Sequence, residues 1–134
     1  MDSGPSIFTR IINGEIPAHK IYEDDKTIAF LDIHPAQPGH SLIVPKTQVD
    51  RLEQLPEEDY AALMATVKKV MRRAVDVFGP EYRACLKLEG FDVPHAHIHV
   101  IPCQTAADFW TKQRMDIEPN HAALADMAKR LAFE

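Results

Sequence analysis

The apolar positions of this chain change their period several times, and each change marks an element. Ser6 stands ahead of Ile7, Phe8, Ile11 and Ile12, a helically spaced set closed by Gly14, which predicts a short capped helix over residues 7–13. Three β-rich runs follow at residues 19–23, 27–31 and 41–44, divided by Glu23-Asp24-Asp25 and by the Pro- and Gly-containing stretch 32–39. They predict a meander of strands. Pro56 then stands at a first helical position, with Glu57, Glu58 and Asp59 at the positive end of the helix dipole. From Tyr60 the apolar stripe runs through Leu63, Met64, Val67, Val70, Met71, Ala74 and Val77, spaced by three and four, until Gly79 and Pro80 stop it. The methionines and the aromatic residue of that stripe are expected to be core packing.

Period two returns at residues 83–89 and 95–101, two strands joined by residues 90–94. Successive side chains of a strand point to opposite faces, so His95, His97 and His99 share one face while Ala96, Ile98 and Val100 share the other. Antiparallel pairing across that loop sets Ala84, Leu86 and Leu88 opposite Val100, Ile98 and Ala96, giving an apolar core face on both strands. The same register puts Cys85, Lys87 and Glu89 on the histidine face, with Lys87 opposite His97. Beyond Cys103 the alternation is lost. Pro119 and Asn120 introduce a last helix, with Leu124, Met127, Ala128 and Leu131 on one side. Trp110, in between, reads as core burial.

The chain has 134 residues, 46% of them hydrophobic and 26% charged, which is ordinary for one folded domain, 1–134, with a real core. No apolar run approaches the roughly 20 residues of a membrane span. The N-terminal MDSGPSIFTRIING lacks the basic start and apolar stretch of a signal peptide, so a cytoplasmic home is expected. Cys85 and Cys103 form no CxxC pattern and are expected as free thiols. The net charge is −5 with scattered basic residues, which argues against a nucleic-acid partner and leaves a small anionic ligand with its own local donors.

Same-face positions in a strand lie about 6.5 to 7 Å apart, so three imidazoles span about 13 Å, enough to line a phosphate chain and too far to grip one atom easily. Imidazole, with an ordinary pKa near 6.5, can attack phosphorus when neutral, while its neighbours donate or relay protons. His19, His34 and His121 lie outside this pattern and are expected to be solvated. The rival reading is metal: His-X-His on a strand is a zinc-ligand geometry, and His40 or Asp32 could complete it.

From SIFTRIINGEIPAHKIYEDDKTIAFLDIHPAQPGHSLIVPK through the central helix to HAHIHVI, residues 6–103 resemble the histidine triad (HIT) family, in its nucleotide-binding branch. The resemblance implies an α+β fold: a five-stranded antiparallel sheet, a long central helix, a short N-terminal helix and a C-terminal helical tail, in a homodimer. It implies a hydrolase of purine nucleoside 5′-phosphoramidates working without a cofactor. In that reading His97 attacks the α-phosphorus to form a nucleotidyl-histidine, His99 contacts phosphate, and His95 and His40 form a supporting relay. Asp32 accepts the ribose hydroxyls, and Ile7, Phe8, Ile11, Phe30 and Ile33 clamp the base, Ile11 and Phe30 reading equally well as core. A dinucleoside polyphosphate hydrolase and a nucleotide-binding regulator with weak turnover are the alternatives.

Three departures from the family pattern qualify this reading. Where many bacterial relatives carry zinc ligands, this chain has Ser6, Thr9 and Gln48, so no metal is expected. The Gly-rich segment before the triad is replaced by Glu89-Gly90-Phe91-Asp92-Val93-Pro94, whose Asp92 would repel phosphate unless turned away or paired, with Lys87 as the compensating charge. Finally, residues 104–134 extend past the matching region with no family motif.

Overall fold

A computed structural model describes residues 4–133. The element order is α1 (Ile7–Ile12), β1 (Lys20–Glu23), β2 (Thr27–Leu31), β3 (Ser41–Pro45), a 3-10 turn (Leu52–Gln54), α2 (Glu57–Phe78), β4 (Arg83–Lys87), β5 (Ile98–Cys103), α3 (Ala106–Phe109) and α4 (His121–Leu131). All strands join one antiparallel sheet in the order β1-β2-β3-β5-β4. The fold is therefore the expected α+β arrangement with a long central helix.

Each face of the sheet is covered by a different layer. Ala29, Leu31, Ile43, Ile98 and Val100 pack against Leu63, Val67 and Val70 of α2 and Leu124 and Leu131 of α4. Ile28, Phe30, Leu42 and Val44 point the other way and are closed by Phe8 of α1. Burial on both sides explains why β2 and β3 read as continuous apolar runs rather than alternating ones. The capping chemistry acts as its residue types dictate: Ser6 Oγ accepts from Thr9 N–H at 3.0 Å and Asn120 Oδ1 from Ala123 N–H at 3.1 Å. Pro56 is the N-cap of α2, one position ahead of the first helical turn where the sequence places it.

Four sequence expectations are corrected. Lys87 pairs with His99, not His97, and Leu86 with Val100, not Ile98. The slip is two residues, and because side chains alternate with period two it preserves both faces. Strand β5 begins at Ile98, so of the three histidines only His99 sits in the ladder. Pro45 in the neighbouring strand has no N–H to offer and its carbonyl accepts from His95 Nε2 at 2.8 Å, while Ala96 N–H donates to Val49 O at 2.7 Å. Leu86 and Leu88 are 39% and 47% exposed, because β4 is an edge strand and only its Ala84 packs against the α2 layer. Trp110 is 77% exposed, its ring set against Phe109, which removes the core reading. Among the described residues no helix is long and apolar enough to cross a membrane, and Cys85 and Cys103 are free thiols.

Candidate active site

On the α1 face the sheet carries a cavity of about 260 Å³. Its apolar lining includes Ile7, Phe8, Ile11, Phe30 and Ile33, and its polar lining includes Asp32, His97 and His99 together with Glu89 and Asp92. Phe8 and Phe30 meet edge to face at 5.6 Å, which fixes α1 over the sheet. Eight of the sequence-predicted site residues thus line one cavity. His40 and His95 lie behind it, buried, and Lys87 is outside its lining.

The hydrogen bonds determine which nitrogen of each ring carries the proton. Ala36 N–H donates to His40 Nδ1 at 3.0 Å, so a neutral His40 holds its proton on Nε2. That Nε2–H donates to His99 Nδ1 at 2.8 Å, which in turn leaves the His99 proton on Nε2. His99 Nε2 is buried without a hydrogen-bond partner among the described residues, 3.9 Å from Glu89 Oε2. It is a desolvated donor waiting for an acceptor. His97 is set oppositely: its Nδ1–H donates to His95 O at 2.7 Å, leaving Nε2 as the basic nitrogen. The Phe8 ring stands edge-on against it at 4.9 Å and limits its rotation.

His95 ties this arrangement to α1. Its Nε2–H donates to Pro45 O at 2.8 Å, so Nδ1 accepts from Ser6 Oγ at 2.6 Å. Thr9 Oγ1 and Ser6 N–H both donate to Gln48 Oε1, at 2.6 and 2.8 Å. Ser6, Thr9 and Gln48, the positions that drew attention for lacking thiolates and imidazole, therefore satisfy one another and His95 by hydrogen bonding. A second group, Asp32, His40 and His99, has ligand-type atoms within 4.8 Å of one another. It does not fit a cation, because His40 Nδ1 is engaged by Ala36 N–H and the facing Nε2 carries the proton that binds His99.

Asp32 Oδ1 accepts from His34 N–H at 2.8 Å and Oδ2 from Gln113 Nε2 at 2.9 Å. Burial pushes its carboxyl above the usual range, opposed by these two bonds. Gln113 and Met115 belong to the cavity wall and were invisible in the sequence, where the alternation ends at Cys103 and nothing marks a return to the site. The short helix before them did leave a signal: Thr105 and Asp108 form a capping box. His19 and His121, expected to be solvated separately, pair with each other at 2.9 Å across the β1 and α4 ends.

Burial lowers the pKa of His40 to about 3 and that of His99 to about 4, with His97 and Lys87 adding to the effect on His99. Burial also lowers His95, against the pull of Pro45 O. Unfolded, each would titrate near 6.5. Their contribution to stability is complete above that value and is lost as pH falls toward about 4 and 3, because the unfolded chain takes up protons that the fold refuses. Asp32, with its raised pKa, works in the opposite direction, one carboxyl against three imidazoles. The expected outcome is a thermal unfolding midpoint that falls steadily from pH 7 to pH 5; a flat or rising midpoint would count against neutral buried histidines.

On the far side of His97 lies a second cavity of about 520 Å³, whose lining includes Asp50, Glu53 and Glu89 against the single cation Arg51.

The HIT domain family model matches residues 13–106. Adenosine 5′-monophosphoramidase hnt1 of Schizosaccharomyces pombe is 37% identical over 100 residues, 72% of this chain and 72% of that one. The crystal structure of a Hit-like protein involved in cell-cycle regulation from Bartonella henselae superposes with a TM-score of 0.80 at 28% identity, covering 98% of this chain and 96% of the other. A zinc-bound histidine triad family protein from Mycobacterium smegmatis gives a TM-score of 0.75 at 26% identity, over 93% and 88% of the two chains.

Proposed function

The chain belongs to the HIT domain family, and from that premise we propose that it hydrolyses purine nucleoside 5′-phosphoramidates through a nucleotidyl-histidine intermediate. The observation that carries this reading is the opposite setting of two adjacent imidazoles. His97 presents a basic Nε2 because His95 O holds its Nδ1–H, and beside it the buried His99 Nε2–H has no acceptor of its own.

In this mechanism the lone pair of His97 Nε2 attacks the α-phosphorus, the P–N bond breaks, and the amine departs with its electron pair and takes up a proton from solvent water. The phosphorylated ring is cationic, and the bond from Nδ1–H to His95 O strengthens as that charge develops. His99 Nε2–H donates to a non-bridging oxygen, with its tautomer held through His40 by Ala36 N–H. Water then attacks phosphorus as the P–Nε2 bond breaks, its proton passes to solvent, and His97 returns to its basic state with release of the nucleoside monophosphate. Asp32 accepts the ribose hydroxyls and the apolar wall around Phe8 and Phe30 holds the base. No step calls on a metal or cofactor.

The leaving-group side separates this reading from a dinucleoside polyphosphate hydrolase. A polyphosphate leaving group would bring several negative charges into the cavity lined by Asp50, Glu53 and Glu89, where only Arg51 opposes them. An amine meets no such repulsion. In a panel of AMP amidates and diadenosine polyphosphates, kcat/KM is expected to favour the amidates by about ten-fold or more. A preference for the diadenosine compounds would reverse the assignment of the leaving group, and absence of turnover on every member would leave the chain a nucleotide-binding regulator.

A further inference from the structure

The chain beyond β5 comes back over the loop that carries Asp32, and two glutamine side chains make the attachment. Gln37 Nε2 donates to Asp108 O at 3.0 Å and to Thr111 Oγ1 at 3.1 Å. Further on, Gln113 Nε2 donates both of its hydrogens, to Asp32 Oδ2 at 2.9 Å and to His34 O at 2.8 Å. The amide cannot be turned the other way, since Oε1 would then face a carboxylate and a carbonyl oxygen at those distances. Gln113 and Met115 line the same cavity as Asp32.

We propose that Gln113 is a positioning residue for ribose recognition, holding the Asp32 carboxylate in the rotation that offers one free lone pair on each oxygen to the two hydroxyls of a ribose. This rests on the assignment of Asp32 to the ribose made above. The geometry is self-consistent in its accounting: Oδ1 is occupied once, by His34 N–H, and Oδ2 once, by Gln113. Each oxygen accepts two bonds, so one position on each remains for substrate. Without Gln113 the buried carboxylate would keep one anchor only, and could rotate about it or take up a proton to meet the cost of its burial. Either change spoils acceptance from a vicinal diol. The specificity of the site would then depend on a segment that lies outside the family's matching region, residues 13–106.

The test is equilibrium binding of AMP and of 2′-deoxy-AMP to the full chain, to Gln113→Met and to Gln113→Glu, with thermal unfolding of all three. The unaltered protein is expected to prefer AMP. Gln113→Met, which keeps length and removes the donors, is expected to lose AMP affinity about ten-fold while 2′-deoxy-AMP loses several-fold less, so that the preference shrinks. Gln113→Glu sets a second carboxylate against Asp32 and should shrink it at least as far. A residue that merely tethered the C-terminal segment would lower the unfolding midpoint or weaken both ligands in proportion. An AMP preference preserved in Gln113→Met therefore overturns the proposal even if both affinities fall. Failure of the unaltered protein to bind AMP, or binding of both ligands alike, removes the ribose assignment of Asp32 and the proposal with it.

Discussion

His97→Ala is expected to lower turnover by about 10⁴-fold or more and to abolish the nucleotidyl adduct seen by acid-quenched mass spectrometry, while nucleotide binding is retained. The size of the effect follows from what the neighbouring rings cannot do. His99 Nε2 carries a proton, because its Nδ1 accepts from His40, and a protonated pyrrole-type nitrogen has no lone pair for phosphorus. His95 spends both nitrogens on Pro45 O and Ser6 Oγ. No other imidazole among the cavity-lining residues presents a basic nitrogen, so loss of His97 leaves only positioning and electrostatics. Binding should survive because Asp32, Phe8, Phe30 and Ile11 make the nucleoside end of the cavity without it. Full turnover by the alanine variant would falsify the nucleophile assignment.

The second large effect is expected at His40, whose side chain is completely buried. His40→Ala removes one acceptor and one donor at once, stranding His99 Nδ1 in the interior, leaving the part-buried Ala36 N–H without its acceptor and opening a cavity the size of an imidazole ring. Loss of stability of about 2–4 kcal/mol is expected from the cavity and the unpaired groups together. Turnover should fall by about 10²-fold beyond what unfolding explains, because His99 is then free to move its proton to Nδ1 and to present a lone pair, rather than N–H, to a phosphate oxygen. Chemical denaturation and single-turnover kinetics on the folded fraction measure the two losses separately. Wild-type kcat in the folded fraction would dissociate His40 from the chemistry and leave it a packing residue.

These two histidines were unequally legible. His97 stood in a strict alternation beside an apolar set, and period two alone assigns it to the face opposite Ile98 and Val100. His40 carried no such signal: it lies in a Pro-rich stretch, 59 residues from the ring it touches. The resemblance to a family named it, and the tertiary fold explained it. Elements defined by long periodic stretches, such as α2, came through with their buried stripes intact, although Tyr60 proved exposed and Thr66, outside the apolar pattern, is buried against Thr27 at 2.7 Å. That hydroxyl pair shows the limit of pattern reading, since a polar residue with a partner is as content inside as an apolar one.

The register of the two triad strands shows a related limit. Alternation constrains pairing only modulo two residues, so it placed Lys87 on the correct face and opposite the wrong histidine. Only the observed pairing, Leu86 with Val100 and Lys87 with His99, resolves the ambiguity. The return of residues 104–117 to the Asp32 loop was beyond sequence reasoning for a different reason: Gln113 is an ordinary polar residue in an aperiodic stretch, and only the chain's path gives its amide two acceptors.

By itself the sequence determined the long helix, the strands apart from their ends, the two faces of the sheet and the clustering of three imidazoles on one of them, because those follow from local periodicity and backbone geometry; α3 and the start of β5 escaped it. Only the tertiary structure decided which nitrogen of each imidazole bears a proton. That depends on single acceptors and donors within 3.0 Å, the Ala36 N–H and the His95 carbonyl nearby in the chain, and the Pro45 carbonyl and the Ser6 hydroxyl brought from distant positions. The same bonds turn three chemically identical side chains into one base, one donor and one structural anchor.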